Sequence, residues 1–366
     1  MATTIMTTTA DIENIERQQF WRGIKKDYFA GPVSTAATLV SAAFLLTVAW
    51  TLFDWGVLHA TVAADARMAE CRAAGGACWS VITNRWRIIL FGLYPYSEHW
   101  RSALAFVVVI MTMILSCMPV FWHARRLAAL WIGGFLGFYI LMRGGIFGLP
   151  IVGEEQWGGL SLTLFVFVSV ALIGMPLSII LALLRNSKLP VISKTTGILI
   201  DGVRSLPLVS ILFVFAIVLP FSLPDFLVGE KLYRVIFGAA LFFSAYQAEI
   251  VRGGMQGVAK GQEEAAMALG LGYWHRISRI QLPQAFRNAL PATINQFVVT
   301  FKETSLIVII GFFELLASSN AAYGTAEWSF AFIEVYVFTS AIYFAFVFSL
   351  SRYGAFLERR MSIGTR

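Results

Sequence analysis

The sequence predicts an all-α integral membrane protein of about eight transmembrane helices, and three observations carry that prediction. Of its 366 residues 58% are apolar and 13% charged, whereas soluble domains are near half apolar and about a quarter charged. Eight apolar stretches each reach the roughly 20 residues that a hydrocarbon core demands. The 28 Lys and Arg lie in short segments between those stretches rather than along one stripe. A net charge of +7 therefore reads as membrane orientation and not as nucleic-acid binding. With 31 Phe and 11 Trp, disordered, collagenous and disulfide-rich secreted classes are excluded as well.

Residues 1–34 form the first segment. Phe20, Ile24 and Tyr28 share one helical face, with Arg22, Lys25 and Lys26 elsewhere around it. This predicts an amphipathic helix on the cytoplasmic membrane surface; a tail packed on the protein itself is the alternative. No signal-peptide core or cleavage site is seen there, so the first span is expected to stay as an anchor. The spans are placed at 35–58, 102–122, 127–149, 160–184, 197–220, 235–256, 290–316 and 328–352. The stretch 88–94 is too short and is left outside. With the N-terminus inside, eighteen Lys and Arg fall inside, seven outside, and three within or beside spans. That bias puts both termini in the cytoplasm of a bacterial inner membrane. The first outside loop, 59–101, is an exception, with Arg67, Arg72, Arg85, Arg87 and Arg101. Gly133, Gly134, Gly137, Gly144 and Gly148 in span three predict close helix packing. Pro207 predicts a kink in span five.

Three cysteines occur. Cys117 is a small packing residue in a span. Cys71 and Cys78 share the outside loop and enclose a glycine pair, which suits a short disulfide-closed loop; free thiols are the alternative. No His or third Cys lies near enough to complete a zinc site.

The longest inside loop, 257–288, lies between spans six and seven. Glu263 and Glu264 open a helix-favouring stretch where carboxylates meet the positive dipole end. Ala265, Ala266 and Ala268 are small enough to lie in a groove of another protein, and Gly270 and Gly272 permit a left-handed ending. A basic stretch follows (His275, Arg276, Arg279), which Pro283 is expected to stop. Taken alone, the pattern also fits an ordinary connecting helix.

The run Glu264-Ala265-Ala266, then Gly270, Ile280 and Leu282-Pro283, resembles the EAA signature of permease subunits of binding-protein-dependent ABC importers. Segments 245–254 and Lys302-Glu303-Thr304-Ser305-Leu306 resemble the polar amino-acid branch of that family. So does Arg204-Ser205-Leu206-Pro207, with Ser205-Leu206 where the family has Gly-Thr. The resemblance implies a C-terminal five-helix type I permease core over 159–366. The three-span extension, 35–158, resembles one permease of the general L-amino-acid systems. It further implies a second permease subunit in a heterodimeric pore, two cytosolic ATPases that hold ATP and Mg, and a periplasmic amino-acid-binding protein. Gln262, Glu263, Glu264, Ala265, Ala266, Leu269 and Gly270 would then contact an ATPase. No GxxxxGK[ST] occurs, so no nucleotide or other cofactor is expected on this chain and it is not expected to be an enzyme.

Ionisable residues at membrane depth are costly and are functional candidates. Tyr246, Glu249, Lys302, Glu303 and Thr304 are expected near the midplane of spans six and seven, where Lys302 could meet a substrate carboxylate and a glutamate an ammonium. The alternative is that Lys302 and a glutamate neutralise each other. Asp201 and Arg204 are expected to form a local pair. An ion-coupled secondary transporter of small polar solutes is the competing function, but no internal repeat is visible. A membrane enzyme finds neither HExxH nor GxSxG.

Overall fold

The computed structural model describes residues 25–64 and 68–362. Phe20, Arg22 and Ile24 of the expected surface helix, and Arg67, lie outside these; Lys25–Tyr28 is helical. Two compact units divide at Ser80.

In the first unit, α1 (Pro32–Phe53) starts with proline at its first turn, where no hydrogen bond is lost. It runs through a π turn (Asp54–Leu58) to a short helix, α2 (Met68–Ala74). Cys71 and Cys78 are joined in a disulfide. The backbone explains the glycine pair between them. Gly75 has φ +69°, and a Cβ on Gly76 would lie 2.2 Å from the His59 carbonyl oxygen. Thr61 and Ala77 donate their amides to the carbonyls of Ala77 and Trp55, both at 2.8 Å, and the Trp79 indole donates to Gly56 O at 2.8 Å.

The second unit continues with α3 (Ser80–Phe91), α4 (His99–Ser116), α5 (Ala124–Arg143), α6 (Gly159–Arg185), α7 (Pro190–Ser205) and α8 (Leu208–Phe213). It ends with α9 (Lys231–Gln256), α10 (Lys260–Ala268), α11 (Tyr273–Arg276), α12 (Leu282–Glu303), α13 (Leu315–Tyr323) and α14 (Phe332–Ser362). Among the described residues seven helices are long and apolar enough to cross a membrane, and a bent pair makes an eighth crossing.

That bent pair is span five. Pro190–Ser205 and Leu208–Ser222 meet at 103°, a break and not the mild kink expected at Pro207. Pro207 caps the second half and Leu206 is extended at φ −94°, ψ 144°, a conformation that needs no glycine. Beyond it Val214–Val218 forms a π turn. Pro220 has no N–H to offer the Ala216 carbonyl four residues back. Arg234 of α9 supplies the donor instead, reaching Ala216 O at 3.0 Å, Phe215 O at 3.2 Å, Val228 O at 3.1 Å and Gly229 O at 2.6 Å. One guanidinium thus satisfies carbonyls of the π turn and of the loop before α9, as a membrane interior requires.

Other boundaries shift for physical reasons. Span three ends at Arg143, because Gly144, Gly145 and Gly148 adopt φ of +74°, +85° and +75°. The buried Arg101 locks that turn through Leu141 O and Pro150 O, both at 2.9 Å. Of the five glycines of that region, Gly134 makes the close helix approach, against Thr112, while Gly133 meets nothing. Pro283 does not stop the basic stretch: a π turn over Ile277–Gln281 absorbs it, and Tyr273–Ile310 runs on as one long element. Span seven loses its α form at Glu303 and proceeds as 3₁₀ turns to Ile310 before the left-handed Gly311.

The core has two layers. Near the α10 end, Ala182, Ile200, Ala245, Ala248, Val251, Met255, Ile277 and Ala285 pack together. Small residues there bring α9 and α12 so close that a Cβ on Gly254 would lie 2.3 Å from Ala285 O. At the opposite end Phe313 and Glu314 pair with Gly158 and Gly159 in two parallel bridges. Glu314 is fully buried and caps α13 through the amides of Leu316 and Ala317, both at 2.8 Å. Phe165 joins α5 to α6 by stacking on Phe135 and Phe138.

Gly254→Val should therefore push α9 from α12 and cost about 1–3 kcal/mol. Thermal unfolding of the detergent-solubilised chain should show a lowered midpoint, while Gly253→Val, with open space at its Cβ position, should stay near wild type.

Candidate functional site

The loop after α9 turns sharply and forms the nine-residue α10. Its ending is a Schellman motif: Gly270 sits at φ +72°, its amide donates to Met267 O at 2.9 Å, and the Leu271 amide reaches back to Ala266 O at 3.1 Å. The helix therefore stops at a fixed angle and hands the chain to α11.

The two faces of α10 differ. Gln262, Glu263 and Ala266 line a cavity of about 330 Å³ shared with Tyr273, Arg276 and Ile277. Ala266 is buried at 2% exposure, so it seats the helix on its own chain. Glu264, Ala265 and Ala268 are exposed on the other face. Beyond them Leu269 is 79% and Trp274 70% exposed, an apolar tip on an otherwise polar elbow. The seven residues expected to meet one partner are thus divided: Glu264, Ala265 and Leu269 are displayed, Gly270 sets the turn, Gln262 and Glu263 stand exposed at the rim of the cavity, and Ala266 is buried. Trp274 carries no mark in the sequence beyond its size.

Above this loop, α6, α7 and α9 are tied by charge. Glu249 receives Arg252 at 2.7 Å and Arg185 at 3.2 Å, with Arg204 at 4.0 Å. Asp201 is gripped by both terminal nitrogens of Arg185 at 2.9 and 3.1 Å. Arg204 stands 4.0 Å from Asp201, so the expected Asp201–Arg204 pair is secondary to a link between helices. The Arg204 guanidinium covers the Tyr246 ring at 5.1 Å, and the Tyr246 hydroxyl donates to Arg204 O at 3.1 Å. Glu249 and Arg252 stand three apart and could be paired from sequence. Arg185 reaches them across 64 residues of chain, which no local pattern announces.

The remaining candidates sit at the top of α12. Glu303 is half-buried and lines a narrow cavity of about 20 Å³ with Thr300, Phe242 and Leu212, room for about one water. Thr300 Oγ1 is buried without a partner among the described residues. Thr304 is buried and donates to Phe301 O at 2.7 Å. Phe242 connects the two groups, since its ring also lies 4.8 Å from Tyr246. Lys302 is exposed, and among the described residues no carboxylate lies within 4 Å of it. The alternative of a Lys302–glutamate pair is therefore not met among the described residues.

With these features in place, the comparisons define the class. The family model for the inner membrane component of binding-protein-dependent transport systems matches residues 174–363. The chain belongs to this family: it is a multi-pass permease component of such a transport system. It is 38% identical to the inner membrane amino-acid ABC transporter permease protein YhdY of Escherichia coli, over 96% of this chain and 95% of that one. It is 31% identical to the glutamate/glutamine/aspartate/asparagine transport system permease protein BztC of Rhodobacter capsulatus, over 92% and 93%. A chain from the crystal structure of an amino acid ABC transporter with histidines is 30% identical at a TM-score of 0.49, covering 55% of this chain and 92% of that one. The ion-coupled alternative finds no support in these likenesses.

Glu249→Gln should leave Arg185 and Arg252 without their shared carboxylate and cost about 1–3 kcal/mol, the range for a partly shielded pair. The expected readout is earlier proteolysis of the loop around α7 in native membranes; an unchanged digestion profile would show that Asp201 alone holds the helices.

Proposed function

We propose that this chain is a permease subunit of an ATP-driven importer of L-amino acids. It would form half of the translocation pathway, with both termini cytoplasmic. ATP and Mg would be held by two separate cytosolic ATPase subunits, a periplasmic amino-acid-binding protein would deliver the substrate, and a second, different permease would complete the pore. Residues 159–366 would be the five-helix core and 35–158 an extension. The observation that carries this reading is α10, a short helix with a locked ending that displays Glu264, Ala265, Leu269 and Trp274 while Ala266 anchors it.

Such an elbow transmits force because its seat and its display face are separate. Substitutions should separate them too. Ala265→Trp, on the displayed face, should leave the fold intact but abolish co-purification of the ATPase and uptake. Ala266→Trp should overfill the seat and destabilise the chain by about 1–3 kcal/mol. Full uptake and ATPase retention in Ala265→Trp would remove the coupling role.

For the substrate path, we place Tyr246, Glu303 and Thr300 on the route, joined by the ring of Phe242, with the exposed Lys302 beside it. Glu249 then serves to hold Arg204 beneath Tyr246 and not as a direct ligand. Lys302→Met should fold and retain the ATPase yet lower uptake at least about tenfold, about 1.4 kcal/mol. Measurement in proteoliposomes beside ATP hydrolysis decides it: unchanged uptake would exclude Lys302 from the route.

A further inference from the structure

A groove of about 340 Å³ separates α4 from α14, lined by Ile110, Met113 and Cys117 on one side and Phe346, Leu350 and Tyr353 on the other. Its walls are almost wholly apolar. Its mouth is not. Arg360 follows Tyr353 by seven residues, two helical turns, and so lies on the same face of α14 about 10 Å nearer the helix end. The Arg360 guanidinium covers the Trp122 ring at 4.8 Å, and Trp122 belongs to the link between α4 and α5. Arg125, exposed in the first turn of α5, stands three residues beyond. Arg126 is engaged with Val120 O at 3.1 Å. Glu358, the nearest acid in sequence, projects from the far side of α14, two residues or about 200° from Arg360. A cation of α14 thus lies over the α4–α5 link beyond the end of the apolar slot. A second cation, Arg125, opens the next helix three residues along the chain from the ring it covers, and the neighbouring carboxylate points away.

We propose that this groove is a binding site for an anionic phospholipid, with an acyl chain along α4 and α14 and the phosphate at Arg360 and Arg125. The apolar walls match an acyl chain, which any lipid offers. The arginines match a net negative headgroup, which a zwitterionic lipid does not. Basic pockets between helices near the membrane surface select lipids on this principle. The slot lies between the segment that precedes the matched family region and its last helix, so the lipid fills a seam that protein side chains leave open.

The test uses the full chain, with any subunits that co-purify, in phosphatidylcholine nanodiscs. These carry either phosphatidylglycerol or phosphatidylcholine with the same photoreactive acyl chain. Irradiation should place the phosphatidylglycerol label on peptides around 110–117 and 345–353, about tenfold above the phosphatidylcholine label. R360Q and, independently, R125Q should each lower that preference about fivefold, the weight of one arginine near a charged surface. Leu350→Trp, which fills the slot, should abolish labelling there by both lipids. Equal labelling by the two lipids in the wild-type chain would overturn the headgroup assignment. Labelling by neither would show that protein fills the groove, and would overturn the proposal entirely.

Discussion

One carboxylate organises the working end of this molecule. Glu249 collects two guanidiniums from different helices, and Arg185 carries the connection onward to Asp201. Burying a charge is expensive unless opposite charges and hydrogen bonds surround it, so the cluster persists only while α6, α7 and α9 stay together. The elbow bearing α10 grows directly from the end of α9, and its orientation inherits whatever this cluster fixes.

A second constraint is the shortage of water. A membrane-embedded backbone must find its hydrogen bonds within the protein, and at three departures from α-helix the chain meets that demand with side chains. Arg234 serves the π turn of the broken span, Arg101 the glycine turn after α5, and Glu314 the start of α13. In each case an ionisable residue is spent on carbonyls or amides and not on a ligand. Charge at depth is thus a poor guide to chemistry until its partners are known.

That explains what was legible in the sequence. Hydrophobic length located eight crossings because length is a one-dimensional property. The ending of α10 was legible because Gly270 acts on its own neighbours. The break at Pro207 was visible but its size was not, since the 103° bend is set by the extended Leu206 backbone before it, a conformation that the proline favours without fixing how the two arms pack. Asp201 was assigned the arginine three residues away, when a better-placed one waited on the preceding helix. Ala266 was grouped with Ala265 because adjacency hides the 100° step that turns one inward and the other out. A glutamate partner for Lys302 was weighed on general grounds of cost, yet the side chain is exposed and meets no carboxylate among the described residues.

The two halves of the broken span are fastened by different forces. α7 is held by attraction between full charges, some with substantial exposure, such as Asp201 at 59%. α8 is held by apolar packing of Leu208, Ile211 and Leu212, and the π turn that follows it by carbonyls gathered on Arg234. Hydration acts on these unequally. Coulomb attraction falls about fourfold as the surroundings pass from a protein-like dielectric to that of water, whereas apolar packing is favoured by water. Wetting the α10 end of the molecule would therefore slacken α7 while leaving α8 tight, so that water itself chooses which arm of the bent helix is free to swing.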